Sequence, residues 1–163
     1  MAYTIRPFLS GDAAALAALT LDAIRNIGAR AYSPEQVEVW ASGHTSAQRF
    51  TQRAKAGHHI YVMADDADMP VAYALLEPDG HLDMLYRSPT HAGRGLASQL
   101  LAHAEEQAHR LGVTRLYTEA SELARTPFER AGYAVTERRD FELRGTRIHN
   151  YAMEKVLREK PLI

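Results

Sequence analysis

The chain has 163 residues, 46% of them hydrophobic and 24% charged, which fits one compact domain with an ordinary core. Nineteen basic side chains against twenty acidic ones leave a formal charge of -1, so neither nucleic acid nor an anionic membrane is the expected partner, and a small-molecule or protein partner fits better. Cysteine is absent, which excludes disulfides, thiolate metal sites and a cysteine-bound covalent intermediate.

Taken from the N-terminus, MAYTIRPFLSGD lacks the basic-then-apolar pattern of a secretory signal, and no later apolar run reaches the roughly 18 residues of a membrane span, so a cytoplasmic location is expected. Tyr3 to Ile5 suits a short strand, and Ala13 to Ile27 carries Leu16, Leu19, Ala23, Ile24 and Ile27 at helical spacing. SPEQ supplies Ser33 as N-cap, Pro34 at the first helical position and Gln36 three residues past the cap, which predicts a second helix carrying Trp40. A third helix, about Ser46 to Ala56, stops at Gly57. The period then changes. HIYVMA (59–64), VAYALLE (71–77) and HLDMLYR (81–87), separated by DDADMP and EPDG, read as consecutive antiparallel strands. Leu96, Leu100, Leu101, Ala104, Ala108 and Leu111 form one face of a long helix closed by Gly112, and TRLYTEA (114–120) is a strand able to run parallel to the one before that helix. A shorter helix, Glu122 to Ala131, ends at Gly132, and the tail reads as two strands joined at Arg144-Gly145.

SPTHAGRGLASQLL (88–101) puts Gly93 and Gly95 one residue apart directly ahead of the long helix. Glycine there costs roughly 0.5–1 kcal/mol relative to alanine, so its placement calls for a reason. Strand, glycine-rich turn and helix together aim free backbone N–H groups and the positive end of a helix dipole at an anion, and an absent Cβ lets a phosphate approach. A tight turn alone would also account for the pair. A P-loop is excluded, because Leu96-Ala97 stands where Lys-Ser or Lys-Thr is needed. The dinucleotide fingerprint nearly fits as Gly93-x-Gly95-x-x-Ser98 with Glu119 as ribose ligand. Ser98, however, replaces the small residue that helix-to-strand packing wants, and no room remains for a second mononucleotide half. A nicotinamide-dependent oxidoreductase stays as the lesser alternative.

The third pattern is an acetyl-CoA pyrophosphate loop. Ala92-Gly93-Arg94-Gly95-Leu96-Ala97, preceded by Tyr86-Arg87-Ser88-Pro89, resembles the Arg/Gln-x-x-Gly-x-Gly/Ala loop and upstream Y-x-x-P of the GNAT superfamily of N-acetyltransferases, with Ala92 replacing the usual Arg or Gln. ARTPFERAGY resembles the later A-x-x-F-Y-E-K-x-G-F motif, with Ala124, Glu129, Arg130, Gly132 and Tyr133 in register. YSPEQ, DGHLDMLY, TEAS and NYAMEK together look like the bacterial YafP-like subgroup. The resemblance implies a single GNAT domain over 1–163. Its fold would be α/β (α+β), with a mixed central sheet of about seven strands, mostly antiparallel with one parallel pair, flanked by helices. It implies acetyl-CoA as acyl donor, no metal, and a small-molecule or peptide amine as acceptor. Dimers are common in this superfamily, so a homodimer is the assembly it suggests.

Residue by residue, the resemblance implies that Ala92, Gly93, Arg94, Gly95, Leu96, Ala97 and Ser98 hold the pyrophosphate. Main-chain groups around Met84, Leu85 and Tyr86, freed where two strands splay, would meet pantetheine and the thioester carbonyl, with Ser121, Ala124, Phe128 and Arg130 contributing from the later motif. His81 and Asp83 lie two apart, so strand alternation puts them on one face and Met84 on the other. His81 falls near the position where several members carry a catalytic glutamate, and an ordinary imidazole pKa of about 6.5 suits proton removal. Asp83 would orient it or hold a cationic acceptor; Glu119 and Glu77, each at a strand end, are further candidates. The usual general acid is a tyrosine where this chain has Phe128, with water, Tyr86 or Tyr151 as substitutes. Phe128 and Ala92 also support an alternative, a non-catalytic acyl-CoA binding or sensing module. Tyr32, Trp40, Asn150 and Tyr151 are the expected linings of an acceptor pocket between the first helices and the last hairpin. The other histidines, His44 among them, show no metal-ligand spacing.

Overall fold

Seven strands and five α-helices follow one another along residues 2–158, which the computed structural model describes. They are β1 (Thr4–Pro7), α1 (Ala13–Ile27), α2 (Pro34–Ala41), α3 (Gln48–Lys55), β2 (His59–Ala64), β3 (Pro70–Leu76), β4 (Leu82–Arg87), α4 (Leu96–Arg110), β5 (Arg115–Ala120), α5 (Arg125–Arg130), β6 (Ala134–Leu143) and β7 (Thr146–Val156). The expected capping box starts α2: Ser33 Oγ accepts from Gln36 N–H, and Gln36 Oε1 accepts from Ser33 N–H at 2.9 Å. Arg144 and Gly145, at φ 47° and 84°, make the β6–β7 turn. The expected helix over 122–131 shrinks to α5, because Ser121 Oγ accepts from Ala124 N–H (3.1 Å) and turns the chain before Arg125.

The strands form two antiparallel sheets, ordered β1-β2-β3-β4 and β5-β7-β6. The fold is the expected GNAT arrangement, but its parallel pair is reduced to a single bridge between His81 and Tyr117. A register shift in β4 explains the separation. Leu75 pairs with Met84 and Leu76 with Leu82, so Asp83 is the extra residue of a β-bulge, which bends its strand away from the neighbour. The bulge also overturns the alternation expected across 81–84. Leu82 packs with Leu96, Leu100 and Leu116 under α4, whereas Met84 packs with Leu16, Phe50 and Tyr73 beneath α1 and α3. Met84 therefore lies on the same side of the sheet as Asp83, whose carboxylate meets Arg53 of α3. A third cluster, with Ile24, Tyr32, Val37 and Ile148, fastens α1 and α2 to β7.

Candidate active site

Gly93 and Gly95 adopt φ of 74° and 70°, a left-handed conformation that side-chain-bearing residues rarely take. A Cβ at Gly93 would meet no protein atom within 4 Å and one at Gly95 only Gln99 Nε2 at 3.9 Å, so both face open space. No side chain caps α4, and its first backbone bond runs from Gln99 N–H to Gly95 O at 3.1 Å, which leaves the amides of Leu96, Ala97 and Ser98 directed out of the helix end. That opening fits a diphosphate, with the α4 dipole behind it.

From this loop a cleft leads between the two sheets. Thr118 Oγ1 donates to Leu82 O (2.7 Å) and Tyr117 N–H to Gly80 O (3.1 Å); past this point β4 and β5 part. Ser88 N–H donates to Val71 O (2.8 Å), which fixes the parity of β4: Met84 and Tyr86 bond to β3, and the main-chain groups of Leu85 and Arg87 face the cleft. Leu85 thus presents its backbone there, while Tyr86 presents its side chain. A cavity of about 110 Å³ extends from Ala97 and Leu100 past Arg87 to Ser121 and Ala124. A second, of about 460 Å³, is lined by Asp83 and Glu119 together with Asn150, Phe141 and Arg144. Both border Trp40, Leu85, Tyr86, Ser121 and Ala124, so the two meet at the mouth of the splay.

A cluster of charges closes the wall beside Asp83. His81 stacks on Tyr117 (ring centroids 4.7 Å apart) and binds two carboxylates, Glu119 Oε1 through Nε2 at 2.8 Å and Glu77 through Nδ1 in a short contact. Arg53 of α3 donates to Asp83 (2.9 Å) and Glu77 (3.2 Å) and packs its Nε on His58 Nδ1 (2.6 Å). Burial works against charge on His81, but Glu119 and Glu77, with Asp83 nearby, outweigh it and push the imidazole up to about 9. His81 therefore carries a proton at neutral pH and has no lone pair to offer as a base, contrary to the role expected from an ordinary histidine. His81, Asp83 and Glu119 place ligand atoms within 4.8 Å of one another, with Asp83 paired to Arg53 and Glu119 to His81.

This protonation has a thermodynamic consequence. A pKa raised above the ordinary 6.5 gives stability that is complete below about 6.5 and is lost as pH rises through about 9. Unfolding free energy is expected to fall across that window with a slope of at most about 1.4 kcal/mol per pH unit from this residue. Urea titrations over the window check it: His81→Gln should flatten the slope, and an equal slope in the variant would refute the assignment.

Other expected residues are distributed unevenly. Tyr32, Trp40, Asn150 and Phe128 border the larger cavity, Phe128 buried with its ring edge-on to Tyr133 at 5.0 Å. The Tyr32 hydroxyl ties β7 to the β5–α5 turn, donating to His149 O (2.9 Å) and accepting from Glu122 N–H (2.8 Å). Tyr151 borders neither cavity; it lies under the Arg125 guanidinium, 4.8 Å from its ring center, beside Glu122. Arg130 sits exposed at the end of α5, away from both, and Ala92 and Ser98 are exposed at the loop. Arg53 and His44 had no sequence signal, since neither belongs to a motif or a charged run. His44 rests edge-on against Tyr86 at 5.8 Å in the larger cavity, and burial, with Arg49 and Arg144, holds it below its ordinary pKa against the pull of Asp83.

Comparison with known proteins agrees with this geometry. The acetyltransferase (GNAT) domain family matches residues 28–155. The N-acetyltransferase YafP of Escherichia coli (strain K12) is 30% identical over 149 residues, which cover 91% of this chain and 93% of YafP. A GCN5-related N-acetyltransferase from Rhodopseudomonas palustris superposes with a TM-score of 0.86 at 32% identity, over 96% of this chain and 97% of its own. PaiA N-acetyltransferase from Thermoplasma acidophilum, solved in complex with coenzyme A, shares the fold with a TM-score of 0.78 at 18% identity, over 96% of this chain and 100% of its own. Fold, loop and cleft thus converge with sequence similarity along most of the chain, and the protein belongs to the GNAT family of N-acetyltransferases.

Proposed function

We propose that the protein moves an acetyl group from acetyl-CoA directly to a primary amine within a ternary complex. The observation that carries this reading is the pair of cavities meeting at Leu85, Tyr86, Ser121 and Ala124, one reaching Ala97 on the first turn of α4, next to the glycine loop, and the other walled by Asp83 and Glu119. Acetyl-CoA, when bound, supplies the activated thioester. The amides of the 93–98 loop hold its diphosphate, and the Leu85 N–H is the main-chain donor available to a carbonyl oxygen in the cleft. Asp83 and Glu119 receive the acceptor as an ammonium, and Glu119 takes its proton, held in place by the imidazolium of His81, which Glu77 anchors from behind. His81 is a positioning residue in this scheme.

Tyr86 is the proton donor for the departing thiol, in the place of the tyrosine that Phe128 replaces. Its hydroxyl accepts from Trp40 Nε1 at 3.2 Å, which leaves its own hydrogen to point elsewhere, and burial keeps it protonated by raising its pKa. Tyr151, committed to Glu122, is the poorer candidate. Incubation with acetyl-CoA and a panel of primary amines, with thiol release and product mass as readouts, tests the reading. Amine-dependent thiol release without any acetylated protein is expected. Tight coenzyme A binding with no release for any amine, or acetyl-protein formed before amine is added, would overturn it.

A further inference from the structure

The larger cavity is lined by charges of both signs. Its only carboxylates among the described residues are Asp83 and Glu119, on the wall next to the cleft. Three guanidiniums from three different elements line the same cavity: Arg49 of α3, one turn before the Arg53 that pairs with Asp83, Arg139 of β6 and Arg144 of the β6–β7 turn. All three bind neutral acceptors. Arg139 donates to Asn150 Oδ1 (3.1 Å), Arg144 to Ser42 Oγ (2.7 Å) and Val39 O (3.3 Å), and Arg49 to Gly43 O. No carboxylate neutralises any of them among the described residues, whereas Arg6 and Arg53 each pair with two carboxylates and Arg115 with one. The His44 ring lines the same cavity, within electrostatic reach of Arg49 and Arg144 as well as Asp83.

An alkylammonium alone would use Asp83 and Glu119 and leave Arg139 and Arg144 without a counter-charge in the same cavity of about 460 Å³. Guanidiniums held by neutral acceptors keep donors for a planar anion and discriminate strongly against ligands without one. We infer that the acceptor is an amine that also carries a carboxylate, its ammonium at Asp83 and Glu119 and its carboxylate at Arg139 and Arg144, with an apolar connection along Trp40 and Tyr86. The inference rests on the acetyltransfer reading above and specifies its substrate class. The carboxylate of a free amino acid and that of a short peptide's C-terminus offer the same chemistry, and the experiment separates them.

Matched pairs are the probes: phenylalanine against 2-phenylethylamine, 6-aminohexanoate against hexylamine, and the dipeptide Gly-Phe against its C-terminal amide. With acetyl-CoA, at least one carboxylate member should exceed its partner lacking the carboxylate in kcat/KM by about 10-fold or more, the scale of one charge-assisted hydrogen bond. Which pair shows the gap tells free amino acid from peptide. The double variant Arg139→Gln, Arg144→Gln should bring that ratio toward one, and Arg139→Lys should restore only part of it. Calorimetric titration of the same pairs into protein saturated with coenzyme A reads the preference without turnover. Thiol release with no pair favouring the carboxylate, or a ratio unmoved by the double variant, overturns this inference and leaves acetyltransfer standing. No release together with carboxylate-selective binding overturns acetyltransfer and keeps the anion site.

Discussion

Glu119→Gln should lower kcat by about 10²–10⁴-fold while coenzyme A binds as tightly as before. The amide keeps the size of the carboxylate and can still accept from His81 Nε2, so the side chain stays in place at the edge of the larger cavity. What it loses is the capacity to take a proton from an ammonium ion. It also removes one of the two carboxylates that hold His81 charged, so the histidine's pKa should fall from about 9 toward its ordinary value. Steady-state kinetics with calorimetry for coenzyme A and a proton-detected titration of His81 check both effects. A turnover loss under about 10-fold would show that Glu119 is not the proton acceptor, and the neutral imidazole of His44 in the same cavity would then be the group to test.

Coenzyme A affinity should drop by about 100-fold when Gly93 and Gly95 are both changed to alanine. Hydrogen bonds to a charged phosphate are worth about 1.5–3 kcal/mol each, and a Cβ at either position intrudes into the space from which the amides reach the anion. Because a Cβ there meets no protein atom closer than 3.9 Å, the cost to folding is confined to the left-handed φ, roughly 1–2 kcal/mol per position. Affinity and stability therefore separate: calorimetry should show the loss, and thermal unfolding should show a cooperative transition at a moderately lower temperature. Unaltered coenzyme A affinity in a folded double variant would remove the diphosphate role from this loop.

Those two experiments address features of different origin. The loop was visible in the order of residues because its cause is local: two glycines with positive φ, a helix period starting at Leu96 and a strand ending at Arg87 all act within a few positions of one another. The same holds for the Ser33 and Gln36 capping box and the Arg144-Gly145 turn. Strand alternation failed at Asp83, since a bulge is a relation between two strands and leaves no trace in one of them. Phe128 and Tyr151 show the same divide. The first borders the larger cavity and not the smaller one nearer the loop, and the second is drawn to Arg125 and Glu122 by contacts that its own neighbours do not announce.

The sequence alone determined the strand-loop-helix that opens toward an anion, the number and order of the elements, and the strand on which His81 and Asp83 stand, because backbone conformation and hydrophobic period are set by near neighbours. Only the tertiary structure decided that His81 is charged, that Arg53 braces Asp83, and that Arg139 and Arg144 line one cavity with the two carboxylates. Glu119 is 38 positions from His81, and Arg53 is 30 from Asp83. A proton's free energy depends on distances through space and on the water excluded around it, and those exist only once remote segments have packed together.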